Sequence, residues 1–141
     1  MNTSPIPVAI FGKDQKVAES VQEKLLPDIE IVHICIDPDV ALVELPAIFA
    51  RKLDSPPASG LGTNATAPPE KRKAPVALFF GGGFSDKEFD QVKEAVLVVH
   101  PDIPVIKVQK RDVLAVGSFG PNPDAIAKIY RKKLGASMVQ A

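Results

Sequence analysis

Apolar residues in this chain fall into short unbroken runs, separated by longer stretches where they recur every third or fourth position. Residues 7–11 (Pro7, Val8, Ala9, Ile10, Phe11), 30–36, 75–80 and 103–108 are runs of the first kind. They read as strands buried on both faces. Between the first two, Val17, Val21 and Leu25 mark one helical face behind the capping Asp14, and Leu26 and Pro27 end it. Asp37 followed by Pro38 opens a second helix over Val40, Ala41, Val43 and Leu45, which Pro46 should break or kink before residues 47–53 add a further turn or two. Ser85 and Glu88 have capping-box spacing ahead of Phe89, Val92, Val96 and Val99. Asn122, Pro123 and Asp124 cap a last helix with the face Ile126, Ile129, Tyr130 and Leu134. Arg131, Lys132 and Lys133 suit its negative end and Gly135 a left-handed stop.

The alternation of strand and helix, with crossovers this long, predicts parallel strands joined by right-handed connections. The expected fold is α/β, a small four-stranded parallel sheet with flanking helices, Rossmann-like or flavodoxin-like, with strand order 2-1-3-4 favoured. Residues 54–75 interrupt the pattern with five prolines, two glycines and the charged run Glu70, Lys71, Arg72, Lys73. Neither flank makes a complete core alone, so this segment reads as an excursion within the second crossover of a single domain spanning residues 1–141. Four strands leave an edge or helix face exposed, and a second copy of the chain covering it predicts a homodimer.

Composition narrows the partners. Hydrophobic residues make up 45% and charged residues 24%, as in ordinary globular domains. Lys plus Arg and Asp plus Glu number 17 each, without the basic excess of a nucleic-acid binder. No run approaches the ~18 apolar residues of a membrane span. Met1 to Pro5 lacks the basic and apolar regions of a secretory signal, and Asn2 occupies the position myristoylation requires to be glycine. The single cysteine, Cys35, forms no internal disulfide and fits a reducing compartment. The expectation is a cytoplasmic protein with no membrane or nucleic-acid partner.

In an open parallel sheet a ligand sits beyond the carboxyl ends of the strands, where the strand order reverses. Order 2-1-3-4 puts that point between Gly12 and the triple glycine Gly81, Gly82, Gly83. Both turns lead into helix N-termini, which favour anions. Lys13, Lys110 and Arg111 add positive charge. The expected ligand is a small anionic molecule held by Gly12, Lys13, Asp37, Gly81, Gly82, Gly83, Ser85 and Arg111. Against it, the glycines serve simply as tight turns, and Asp37 and Ser85 as helix caps.

Cofactor motifs are incomplete. Val8 to Gly12 begins like a dinucleotide-binding strand and turn, and Asp37 stands where a ribose-binding acid would. The second and third glycines of G-x-G-x-x-G are replaced by Asp14 and Val17. No Walker loop, G-x-S-x-G elbow or metal-ligand spacing is present, so no cofactor or metal is expected. Strand alternation puts His33, Cys35 and Asp37 on one face. Cys35 then reads as a small buried hydrophobe and His33 as a core histidine, with nucleophilic chemistry requiring leaning rotamers. His100 ends the third helix, where its dipole welcomes a cation.

Ser59 to Asn64, Phe80 to Asp86, and Gly120 to Tyr130 with its Pro121, Asn122 and Pro123 together resemble a group of small uncharacterised fungal proteins over most of the chain from about residue 30. The resemblance implies a Rossmann-like fold and a 59–64 loop folded over the site, and it supplies no activity or catalytic residue. The leading functional expectation is a binding protein for an anionic metabolite, or a cofactor-independent isomerase, cyclase or lyase in which His33 and Asp86 act as acid and base. The alternatives are a non-catalytic dimeric interaction protein using the 54–75 loop, and a degenerate NAD(P)-binding protein. Whether the chain is an enzyme is left open.

Overall fold

The computed structural model describes residues 5–81, 84–108 and 122–139. Four strands, β1 (Ile6–Phe11), β2 (Ile29–Cys35), β3 (Leu78–Phe80) and β4 (Val105–Lys107), alternate with helices α1 (Gln15–Leu25), α2 (Pro38–Phe49), α3 (Asp86–Val99) and α4 (Pro123–Val139). The strands form one parallel sheet in the order β2-β1-β3-β4, as expected from the sequence. Helices α1 and α4 pack together on one face and α2 and α3 on the other. Each apolar strand run is divided between two cores. Val8, Ile10, Ile34 and Phe79 face Val21, Leu25, Tyr130 and Leu134, with Phe79 stacked on Tyr130 at 4.1 Å between centroids. Phe11, Leu78 and Phe80 face Leu45, Phe49, Val92 and Val96. Two-sided burial is why these runs lack polar alternation.

Helix starts follow the sequence closely. Asp14 accepts from the Val17 amide, Asp37 from those of Asp39 and Val40, and Ser85 and Glu88 form a reciprocal capping box. Helix ends depart from it. α2 runs through Pro46 to Phe49, because the carbonyl left without its Pro46 partner belongs to Leu42, at the exposed side of the helix. It stops in a Schellman turn, where the Arg51 amide donates to Ile48 (3.1 Å) and the Lys52 amide to Ala47 (3.0 Å). Arg51 takes the left-handed position at φ 65°, where glycine would be usual. α4 continues through Gly135 to Val139; nothing lies within 4 Å of a Cβ built there, so glycine is not required by space.

The 54–75 excursion is laid against the domain. Its 59–62 segment runs beside the outer edge of β2, where the Ile34 amide donates to Leu61 (3.3 Å) and the Ser59 hydroxyl donates to the Ile34 carbonyl. Asn64, 2% exposed, exchanges two 2.9 Å hydrogen bonds with the Lys73 backbone. The edge expected to invite a second copy is, at β2, covered by the chain itself. At this edge β2 carries a bulge, in which Val8 pairs with Ile31 and Ala9 with His33. The extra residue, Val32, shifts the phase of the strand. Ile29, Ile31 and Ile34 therefore enter one core, while His33 and Cys35 turn toward α2.

Gly62 sits at φ 99°, and a Cβ there would lie 2.5 Å from the Val32 carbonyl oxygen and 2.8 Å from the His33 nitrogen. Gly62→Ala should cost about 2–4 kcal/mol in urea denaturation. Gly60→Ala, with nothing within 4 Å, should cost only the left-handed penalty of about 1 kcal/mol. Arg131 grips the turn between α1 and β2, donating to both carboxylate oxygens of Asp28 (2.8 and 2.9 Å) and to the Lys24 carbonyl (2.8 Å). The guanidinium holds the Asp28 carboxyl below its ordinary range. Its stabilisation is therefore complete above the ordinary aspartate value near pH ~4 and lost as pH falls through the lower folded value. Both side chains are partly exposed, so Asp28→Asn should destabilise by no more than about 1 kcal/mol at pH 7. That difference should disappear in denaturation curves taken toward pH ~2.

Candidate functional site

The strand order reverses between β1 and β3: α1 leaves β1 for one face and α3 leaves β3 for the other. Here the two glycine turns touch. A Cβ built on Gly81 would lie 3.4 Å from Gly12 Cα. Both turn amides already extend the sheet, Gly12 donating to Cys35 (3.0 Å) and Gly81 to Phe11 (2.9 Å). The glycines therefore give a floor without side chains, and their amides are not free donors. Beside it, Phe84 stacks on the buried Phe11 at 3.8 Å between centroids, and the exposed Lys13 places Nζ 5.8 Å from the Phe84 ring centre. Phe84 was not singled out from the sequence. An aromatic residue directly after a glycine turn and before a cap was the available signal.

The two helix starts at this edge differ in charge. The first turn of α1 has no acidic residue, and Lys13 and Lys16 are exposed beside it. The first turn of α3 carries Asp86 and Glu88, and Ser85 is occupied by its capping box. Asp37 is likewise occupied at the start of α2. Gly82, Gly83, Lys110 and Arg111 lie outside the described residues. His100 stands at the C-cap of α3, its amide donating to Val96 (2.9 Å).

His33 and Asp86 are not brought together. Asp86 is solvent-exposed and pairs with Lys107 of β4 at 3.4 Å, while His33 lies on β2, the opposite outer strand. The two are held by different partners, His33 by Glu44 and Asp86 by Lys107.

His33 instead joins a different cluster. Its Nε2 lies 2.9 Å from Glu44 Oε1, Cys35 Sγ lies 3.6 Å from the same oxygen, and the Ala58 amide donates to Glu44 Oε2 at 3.0 Å. His33 and Cys35 are buried, and Glu44 is 21% exposed. Burial holds His33 below its ordinary range, outweighing the Glu44 carboxylate that pulls the other way. The contact is thus a neutral imidazole donating to a carboxylate. Burial, followed by the same carboxylate, pushes the Cys35 thiol far above its ordinary range. Cys35 in this state is no thiolate nucleophile. The sequence placed His33 and Cys35 on one face but missed Glu44. Its signal was a carboxylate at helical spacing with the core residues Ala41, Leu45 and Ile48, in a helix apolar from Val40 onward except at this position.

No family model matches the chain, and no solved structure matches it. The chain is similar to a curated protein of Aspergillus oryzae, "Kojic acid related protein 6", at 28% identity over 90 residues. That alignment covers 64% of this chain and 50% of the relative, so the chain spans about half the length of the curated relative it matches.

Proposed function

We propose that the chain binds a small planar organic anion at the carboxyl edge of the sheet, between the turns that follow β1 and β3. The observation that carries this reading is the contact between Gly12 and Gly81 at the point where the two crossovers part. Between the glycines a ligand would meet mainly backbone, in the crevice where open α/β sheets take their ligands. Lys13 supplies the positive charge and Phe84 an aromatic surface backed by Phe11. The dipole of α1 adds to this, offset by the Asp14 carboxylate at its cap but by no acid within its first turn. Asp86 and Glu88 at the start of α3 confine the anion to the α1 side. The relative's name refers to kojic acid.

Binding is the reading the geometry supports, without the His33 and Asp86 acid–base pair. Degenerate dinucleotide binding has less support, because Asp37 is engaged by two backbone amides. The interaction reading of residues 54–75 has less as well, since that segment holds the β2 edge.

Thermal-shift measurements with inorganic phosphate, citrate, benzoate and kojic acid test this reading. The planar anions should raise Tm by mass action. Lys13→Glu, a change at an exposed position, should leave the unliganded Tm in place and weaken that binding about tenfold or more, or ~1.4 kcal/mol. Absence of a shift with every anion at concentrations up to about 10 mM would overturn it.

A further inference from the structure

We propose that His33, Cys35 and Glu44 form a zinc site with three protein ligands and a fourth position open to water, separate from the anion site at the glycine turns. One ligating atom from each residue lies within 4.8 Å of those of the other two. A tetrahedral zinc with bonds of about 2.0–2.3 Å spaces its ligand atoms about 3.4–3.7 Å apart. The Cys35 to Glu44 separation of 3.6 Å already has that value, and the His33 to Glu44 separation of 2.9 Å needs to open by roughly half an ångström. The donors are an imidazole nitrogen, a sulfur and a carboxylate oxygen, a set that suits zinc and excludes magnesium or calcium, which take oxygen ligands.

The surroundings fit a metal as well as the donors do. Glu44 Oε2 is held by the Ala58 amide, which leaves Oε1 aimed at His33 and Cys35. Such outer contacts orient metal ligands. His33 and Cys35 are almost wholly buried while Glu44 reaches solvent, which gives an ion a path inward. Before a metal enters, the ring proton lies on Nε2 toward Glu44, and His33 Nδ1, which has no hydrogen-bond partner among the described residues, is open to take it up. On coordination the thiol proton is released, the imidazole proton resides on Nδ1, and Nε2 turns its lone pair to the metal. His33 and Cys35 share a face by strand alternation, and the β2 bulge sets that face toward α2 while Ile29 and Ile31 enter the other core.

Cobalt substitution of the full reduced chain reads the site directly. One equivalent of Co²⁺ should produce the near-ultraviolet thiolate-to-cobalt charge-transfer band and the strong visible absorption of tetrahedral cobalt. Zn²⁺ should displace both and raise Tm. Cys35→Ser should abolish the charge-transfer band. Glu44→Gln, which keeps an acceptor for the Ala58 amide, should keep the band and weaken metal affinity by about tenfold or more. Circular dichroism of each variant confirms that it is folded. A wild-type chain that shows no charge-transfer band and no zinc-dependent rise in Tm overturns the proposal, because the cluster is then a hydrogen-bonded core group. A band that survives in folded Cys35→Ser overturns it equally.

Discussion

The structure depends on how β2, an outer strand buried on both faces, has its edge closed. A parallel edge strand leaves a row of amides and carbonyls unpaired. This chain closes the row with its own 59–62 segment, and the closure works only because Gly62 lets two backbones meet. At that position any side chain would occupy the Val32 carbonyl. The extra residue in β2 and the missing side chain in the strap are opposed to each other, one bulging toward the space the other vacates. The excursion therefore covers part of the β2 edge.

The same bulge determines which chemistry faces which helix. With unbroken alternation, Ile29, Ile31, His33 and Cys35 would share one face. The bulge sends the isoleucines into the core beneath α1 and α4 and leaves the histidine and cysteine under α2. A buried imidazole needs a partner, and Glu44 meets it from α2 at 2.9 Å. The Glu44 carboxylate also draws the excursion down through Ala58. One polar side chain thus ties a strand, a helix and the strap together within a largely apolar region.

Much of this architecture was legible in the sequence because local signals agreed with the global fold. Continuous apolar runs gave the strands, and Asp14, Asp37 and Ser85 gave helix starts whose caps form as expected. Helix ends were harder to read. Pro46 is accommodated where its missing bond faces outward, Arg51 takes a position glycine usually holds, and Gly135 lies inside α4. In each case the chain tolerates a local propensity cost of about 1–3 kcal/mol. The bulge has no local sequence signature, since Val32 resembles its neighbours. Without it the pairing of His33 with Glu44 could not be foreseen. Of the residues expected around the switch point, Gly12, Lys13 and Gly81 lie there, whereas Asp37 and Ser85 serve as caps.

Charge at the carboxyl edge then separates two features that the sequence made look alike. Glycine turns before both α1 and α3 suggested two equivalent anion-binding helix starts. Two amides at the start of α3, those of Ser85 and Glu88, are matched by the capping box, and its first turn is acidic, so its dipole is opposed from within. α1 is capped by one aspartate and flanked by exposed lysines. An anion is consequently attracted to one side of the cleft and repelled from the other. The aromatic surface of Phe84 lies beside the attracting side. A charged group held at Lys13 with its ring on Phe84 satisfies both sides of that division. A compact spherical anion would use only the charge. A cleft used as proposed would select by shape as well as by sign, which is why the proposed ligand is planar.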